Sequence, residues 1–157
     1  MPRRALERRV AAALPRQARL TRPLIPVVAA ALFDRGGRVL IAQRPTGKAL
    51  AGRWEFPGGK VAAGESERHA LIRELREELG IEVIAARPFM RITHAYEERD
   101  VELSLWIVER FAGEPRSLDS QALKWVAPAH LPAEDILEAD QPFIAALRDL
   151  PRPREGG

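Results

Sequence analysis

"GGKVAAGESERHALIRELREELGI", residues 58–81, sets a glycine pair, five carboxylates and a row of leucines into twenty-four consecutive positions. Ser66 ahead of a run of helix formers, and Gly80 behind it, predict a helix over 66–79. At about 100° per residue, Glu74, Glu77 and Glu78 fall within one arc, and Leu71, Ile72, Leu75 and Leu79 take the arc beside it. The leucines are the candidate core face. All three glutamates are ionised at pH 7, since the unperturbed pKa is about 4.3, and like charges three or four residues apart disfavour a helix by about 0.2–0.5 kcal/mol per pair. Something must offset that repulsion. Salt bridges from Arg73 and Arg76 would do so, with Arg73 four residues before Glu77; a divalent cation would also do so, because Mg2+ prefers hard oxygen ligands and binds through a few carboxylates together with substrate phosphates.

Upstream, the apolar run 25–33, the turn "DRGGR" and the second run "VLIAQR" read as a hairpin. "RPTGKALAGRWEFPGG" is rich in glycine and proline and reads as a loop over the site, broken by a short strand at 54–56. Downstream, "IEVIAA" is a strand candidate, and "VELSLWIVERF" is a stronger one with Val101, Leu103, Leu105 and Ile107 on one face. "ALKWVAP" supplies a last short strand. "PFIAALRDL" closes the chain as a helix with Asp140 as a candidate cap and Pro142 in its first turn. Mixed strands with one helix in the middle and one at the end predict an α/β sandwich.

The 157 residues are enough for one domain and too few for two comfortable ones. A composition 46% hydrophobic and 30% charged belongs to a folding chain and not to a disordered one. No apolar run is long enough to cross a bilayer and the N-terminus lacks the apolar centre of a secretory signal, so a cytoplasmic location is expected with no membrane partner. The absence of cysteine excludes disulfides, thiolate-bound zinc and cysteine nucleophiles, and leaves oxygen or histidine to hold any metal. The net charge of +3 is unevenly spread, because residues 1–23 hold seven arginines against Glu7 alone; removing their +6 leaves −3 on the rest. The expected organisation is therefore a basic, poorly ordered arm over 1–23, a folded domain over 24–150 and a flexible tail over 151–157. Such an arm could touch polyphosphate or RNA, but its plainer reading is a solvated leader, and no nucleic-acid partner is expected elsewhere.

The spacing of the opening stretch carries more than a helix. Gly59, Glu65 after five intervening residues, Arg73-Glu74-Leu75 after seven more, then Glu77-Glu78, Gly80 and Ile81 follow the Nudix box at every position. Seven fixed identities and two apolar positions coincide by chance about once in 10⁹ starts. The chain resembles the Nudix hydrolases from about residue 27 to 147. That resemblance implies a Nudix-type α/β/α sandwich with a mixed sheet and a loop-helix-loop catalytic motif, and hydrolysis of a nucleoside diphosphate linked to another group with Mg2+, or Mn2+ in its place. It further implies that Glu77 and Glu78 are direct metal ligands and that the Gly59 carbonyl is another. Glu74 is a ligand or base, Arg73 orients the glutamates and Glu65 supports the loop. Glycines at 58 and 59 would let backbone approach metal or phosphate. Asp119 lies where the family often places an acid that binds metal or serves as base; taken alone it reads as an exposed turn aspartate.

"LIAQRPTGKALAGRWEFPGGK", "VERFAGEP" and "ADQPFIAAL" extend the similarity to MutT-type 8-oxo-dGTP diphosphatases. On that match Arg44, Lys60 and Arg99 contact phosphate, Glu55 sits beside the metal site, and Asp140 contacts the base, with His94 and Tyr96 as further pocket residues. In the best-known member of that MutT group the residue matching Asp140 is asparagine. A carboxylate only accepts hydrogen bonds, so Asp140 would pair with guanine N1 and N2 hydrogens, or donate if protonated, and the preference for the oxidised base is left open. The implied activity is hydrolysis of 8-oxo-dGTP, and of dGTP with it, to the monophosphate and pyrophosphate, cleansing the nucleotide pool that supplies DNA replication and repair. The alternatives are a Nudix enzyme acting on ADP-ribose or a dinucleoside polyphosphate, and a noncatalytic RNA-binding module. Either a monomer or a homodimer accommodates these readings.

Overall fold

The computed structural model describes residues 22–151. The basic arm expected over 1–23 lies outside the described residues except for its last two, and the tail expected over 151–157 lies outside them except for Pro151. Those last two arm residues are joined to the domain. The Arg22 side chain is 8% exposed, pairs with Asp100 at 3.4 Å and donates to the Tyr96 carbonyl, and the Asp100 amide donates to the Pro23 carbonyl at 3.0 Å.

The elements run β1 (Leu24–Leu32), β2 (Val39–Gln43), β3 (Trp54–Glu55), β4 (Gly58–Lys60), α1 (Glu67–Leu79), β5 (Glu82–Ala95), β6 (Asp100–Ala112), β7 (Leu123–Val126) and α2 (Gln141–Arg148). Two 3-10 turns, Pro128–Ala133 and Glu138–Asp140, lie between β7 and α2. A four-stranded sheet has the order β4-β1-β6-β5, with β1 and β6 parallel and the other pairs antiparallel. A three-stranded antiparallel sheet has the order β3-β2-β7.

Strand β1 is the axis of the packing. Its residues 28–32 are apolar without interruption and buried on both faces, as a central strand with a parallel partner requires. Val28, Ala30 and Leu32 pack under α1 against Ala70, Leu71, Leu75 and Leu79. Ala29 and Ala31 face the other way, into a cluster with Ile41, Leu105, Phe143 and Leu147. Helix, sheet and second helix thus form the expected α/β/α layers. The predicted β6 face is present, since Leu103, Leu105 and Ile107 share one cluster and Val108 belongs to the other. Leu71, Leu75 and Leu79 are 0% exposed, and each buried leucine contributes about 1.5–3 kcal/mol. Ile72 is only half-buried; Ala70 takes the place in the core that the wheel assigned to it.

Two expectations need correction. The hairpin of β1 and β2 exists only at its turn, where the Asp34 amide donates to the Arg38 carbonyl at 2.9 Å and Phe33 bridges Val39. Beyond that bridge the two strands enter different sheets, because β1 takes β4 and β6 as partners while β2 takes β3 and β7. The strand beginning "IEVIAA" continues to Ala95 straight across Pro88. It is the sheet's edge, where a missing proline N–H removes no ladder bond, and the register shifts between Pro88 and Met90. No helix among the described residues is long and apolar enough to cross a membrane.

Candidate active site

The site forms where α1 crosses β4. The Ser66 hydroxyl accepts from the His69 amide at 3.1 Å and caps the helix start; Gly80, at φ 67°, ends it by donating its N–H to the Arg76 carbonyl at 3.0 Å. With its leucines fixed on β1, the helix turns Glu74 toward β4, where Gly59 lies opposite Val28. A Cβ at residue 59 would overlap the Glu74 carboxylate, whereas one at residue 58 would overlap the Val28 carbonyl. The two glycines therefore do different work. Gly59 makes room for a site carboxylate, and Gly58 lets two strands approach, which the sequence reading had assigned to metal or phosphate access.

Arg73 organises one end of the acidic face. Its Nε and one terminal nitrogen each donate to Glu65 at 2.8 Å, its other terminal nitrogen reaches Glu74 at 2.9 Å and Glu77 at 3.5 Å, and the Lys60 carbonyl accepts at 3.1 Å. Hydrogen bonds from Arg73, and then the Ala62 amide at 3.1 Å, hold the Glu65 carboxyl down at about 2. The same bonds to Glu65 and Glu74 raise the Arg73 pKa. Arg76 does not share this role, contrary to expectation. It forms a fork on Glu82 at 2.6 and 2.8 Å, beyond the end of the helix.

Glu78 marks the other end. It is half-buried, and burial first, then repulsion by Glu74, Glu55 and Asp119, pushes its carboxyl up to about 8, against the opposing effect of the Gly58 backbone N–H. Burial also raises Glu55 on β3, opposed by Arg44 and Lys48. The Arg44 guanidinium lies 3.1 Å from Glu55 and donates to the Ala49 carbonyl at 2.8 Å. Asp119 is exposed, on the loop between β6 and β7. That loop is laced to α1: the Arg116 amide donates to the Leu79 carbonyl and the Leu118 amide to the Glu78 carbonyl, each at 3.0 Å. The last carbonyls of a helix have no partner within it, so they are available to such a loop.

Asp140 is 4% exposed, and its Oδ2 accepts from the Phe56 amide at 3.2 Å. It occupies the N-cap position of α2 but makes no capping bond there, so the expected cap role is corrected: the carboxylate turns toward β3. The His94 and Tyr96 rings meet edge to face with centroids 4.7 Å apart. Lys60 is exposed beside the Arg73 clamp. Arg99 is exposed on the β5–β6 turn, where its carbonyl accepts from the Tyr96 amide at 2.9 Å. Its neighbour Asp100 pairs with Leu24, four strand residues from Val28 and so about 13 Å along the sheet from the carboxylates. The sequence reading missed Lys48, whose signal was a basic residue inside the glycine loop, and the amides of Arg116 and Leu118, which carry no sequence signal.

Among the described residues no three carboxylate or histidine side chains are already drawn together at metal-ligand geometry. The donors still suit a hard divalent cation. Glu74, Glu77, Glu78 and the Gly59 carbonyl all offer oxygen, the donor such an ion takes, and the Glu78 carboxyl is raised first by burial and then by the acids around it.

A family model described as a NUDIX domain matches residues 28–146. The chain is 41% identical over 123 residues to the CTP pyrophosphohydrolase of Escherichia coli, covering 78% of this chain and 91% of that protein. It is 34% identical over 117 residues to the 8-oxo-dGTP diphosphatase of the same organism, covering 74% and 91%. The solution structure of the E. coli ORF135 protein matches with a TM-score of 0.75 and 38% identity, covering 92% of this chain and 100% of that one.

Proposed function

This chain belongs to the Nudix family and is a nucleoside triphosphate pyrophosphohydrolase, and from that premise we propose that it hydrolyses 8-oxo-dGTP, with dGTP as a further substrate, to the monophosphate and pyrophosphate. The observation that carries the reading of the site is the seat of the Glu74 carboxylate against Gly59, where a Cβ would overlap it, with half-buried Glu78 one turn further along the helix. The Glu78 carboxyl is raised by burial and by the acids near it, and acids perturbed in that way cluster at functional sites. Gly59, Glu74, Glu77 and Glu78 are the residues that would hold Mg2+ or Mn2+. The ion would supply neutralisation of the phosphate oxygens, the larger part of what phosphoryl transfer needs.

The chain's own residues do the rest. Arg44 exchanges Glu55 for a phosphate oxygen, and Lys60 adds a second positive contact from the exposed edge of β4, with Arg99 as an outlying third. Arg73 does not touch substrate; it fixes Glu65, Glu74 and the Lys60 carbonyl in one frame. Asp119 takes the proton of the attacking water or completes the ligand set. The water oxygen bonds to phosphorus, the bridge between the α and β phosphates breaks, and the monophosphate leaves. Asp140, backed by the Phe56 amide, accepts hydrogen bonds from the base.

That carboxylate also favours a second reading. An acceptor suits the exocyclic amine of cytosine as well as the N1 and N2 hydrogens of guanine, and one relative is named for CTP. Measuring kcat/KM for 8-oxo-dGTP, dGTP, CTP and ADP-ribose in ¹⁸O-labelled water distinguishes them. The expected result is highest turnover of 8-oxo-dGTP with label in pyrophosphate. A larger value for CTP would give the second reading, and equal values for oxidised and normal dGTP would end the sanitising role.

A further inference from the structure

The loop of residues 113–122 is tied to the end of α1 past its Gly80 stop. The Glu78 and Leu79 carbonyls are taken by amides of that loop, Leu118 and Arg116. Asp119 is the next residue, and Ser120 after it has φ 63°, one of two non-glycine residues in the left-handed region among those described. Such a φ is uncommon for a residue with a Cβ and is an outlier for a β-branched one. The Leu118 side chain is 51% exposed, so its place in the chain is not explained by core packing. What residue 118 contributes inward is its N–H. The bond fastens the chain one residue before Asp119, and the left-handed turn redirects it one residue after.

We propose that the Leu118 amide and the left-handed turn at Ser120 are positioning elements that hold the Asp119 carboxylate beside Glu78. This rests on the reading of Asp119 as an acid used in the reaction. An exposed aspartate on a free loop would sample many orientations, and displacement by about 1 Å can reduce turnover a hundredfold. Tying the loop to the carbonyl of Glu78 itself makes helix and loop move together.

The test is a set of variants made with and without Asp119→Asn. Leu118→Ala and Ser120→Gly keep the amide and the backbone conformation, and should hold kcat within about twofold. Leu118→Pro removes the N–H and Ser120→Val opposes the φ; each should lower kcat about tenfold to a hundredfold at a near-constant KM and unfolding midpoint. In the Asp119→Asn background the same two changes should have no further effect, which a general loosening of the loop would not produce. Hydrogen exchange gives a readout independent of turnover, and the Leu118 amide should be protected in the unmodified protein. Full additivity, wild-type kcat in both Leu118→Pro and Ser120→Val, or an unprotected Leu118 amide would overturn the proposal. Wild-type kcat in Asp119→Asn alone would instead remove the catalytic reading of Asp119, and amide protection would still report separately on the tether.

Discussion

Glu65 and Glu78 belong to the same loop-helix unit and are driven in opposite directions. At Glu65, Arg73 and the Ala62 amide hold the carboxyl down at about 2. At Glu78, burial and the charges of Glu74, Glu55 and Asp119 push it up to about 8. One end of the acidic face is satisfied by protein groups and serves as scaffold. The other is a carboxyl held half-buried among further acids, a setting that costs stability to keep and is often found at functional sites.

The most severe way to break the contrast is Glu78→Gln. It should lower kcat about a thousandfold, by removing a carboxylate from the proposed ligand set, while the metal-free protein melts at the same or a higher temperature because a neutral amide removes the cost of keeping a carboxyl at that site. Near-normal turnover with a lower melting temperature would mean that Glu78 is a structural residue. Arg73→Lys should have a smaller effect, lowering kcat/KM about tenfold to a hundredfold, because an ammonium cannot reproduce the fork on Glu65 while also reaching Glu74 and the Lys60 carbonyl. Wild-type kinetics would show that the clamp is dispensable.

The smallest effect is on stability as pH changes in metal-free protein. Between its ordinary 4.5 and about 8, folded Glu78 binds more proton than the unfolded chain does, so its contribution to stability falls as pH rises through that window. Glu65 has the opposite sign: its contribution is complete above 4.5 and is lost on acidification toward about 2. Urea midpoints across pH should therefore decline on both sides. Glu78→Gln should flatten only the upper limb, and an unchanged upper limb would mean that Glu78 titrates normally.

Much of α1 is readable without coordinates, because Ser66, Gly80 and the leucines at 71, 75 and 79 encode cap, stop and face within one helical period. The second sheet is not readable in that way. β2 finds its partners at Glu55 and at 123–126, and nothing local in "VLIAQ" distinguishes those neighbours from β1. Arg76 was misjudged for a related reason. Its partner Glu82 lies past the helix stop, and only the turn at Gly80 brings the two together. Within the site, residue types in the motif pointed to Arg73 and the glutamates. The placing of Asp119 depends on two backbone bonds, and the orientation of Asp140 on the Phe56 amide just past β3, neither of which alters any side chain in the sequence.

The parallel pairing of β1 with β6 also bears on how the chain is made. Val28 and Leu32 are partners of Ser104 and Val108, so during translation the most apolar strand emerges long before the neighbour that shields it. Contacts this distant in sequence form slowly. A nascent chain paused in β5 would have β4 on one edge of β1 and nothing on the other, so premature termination there would leave an open apolar edge prone to aggregation.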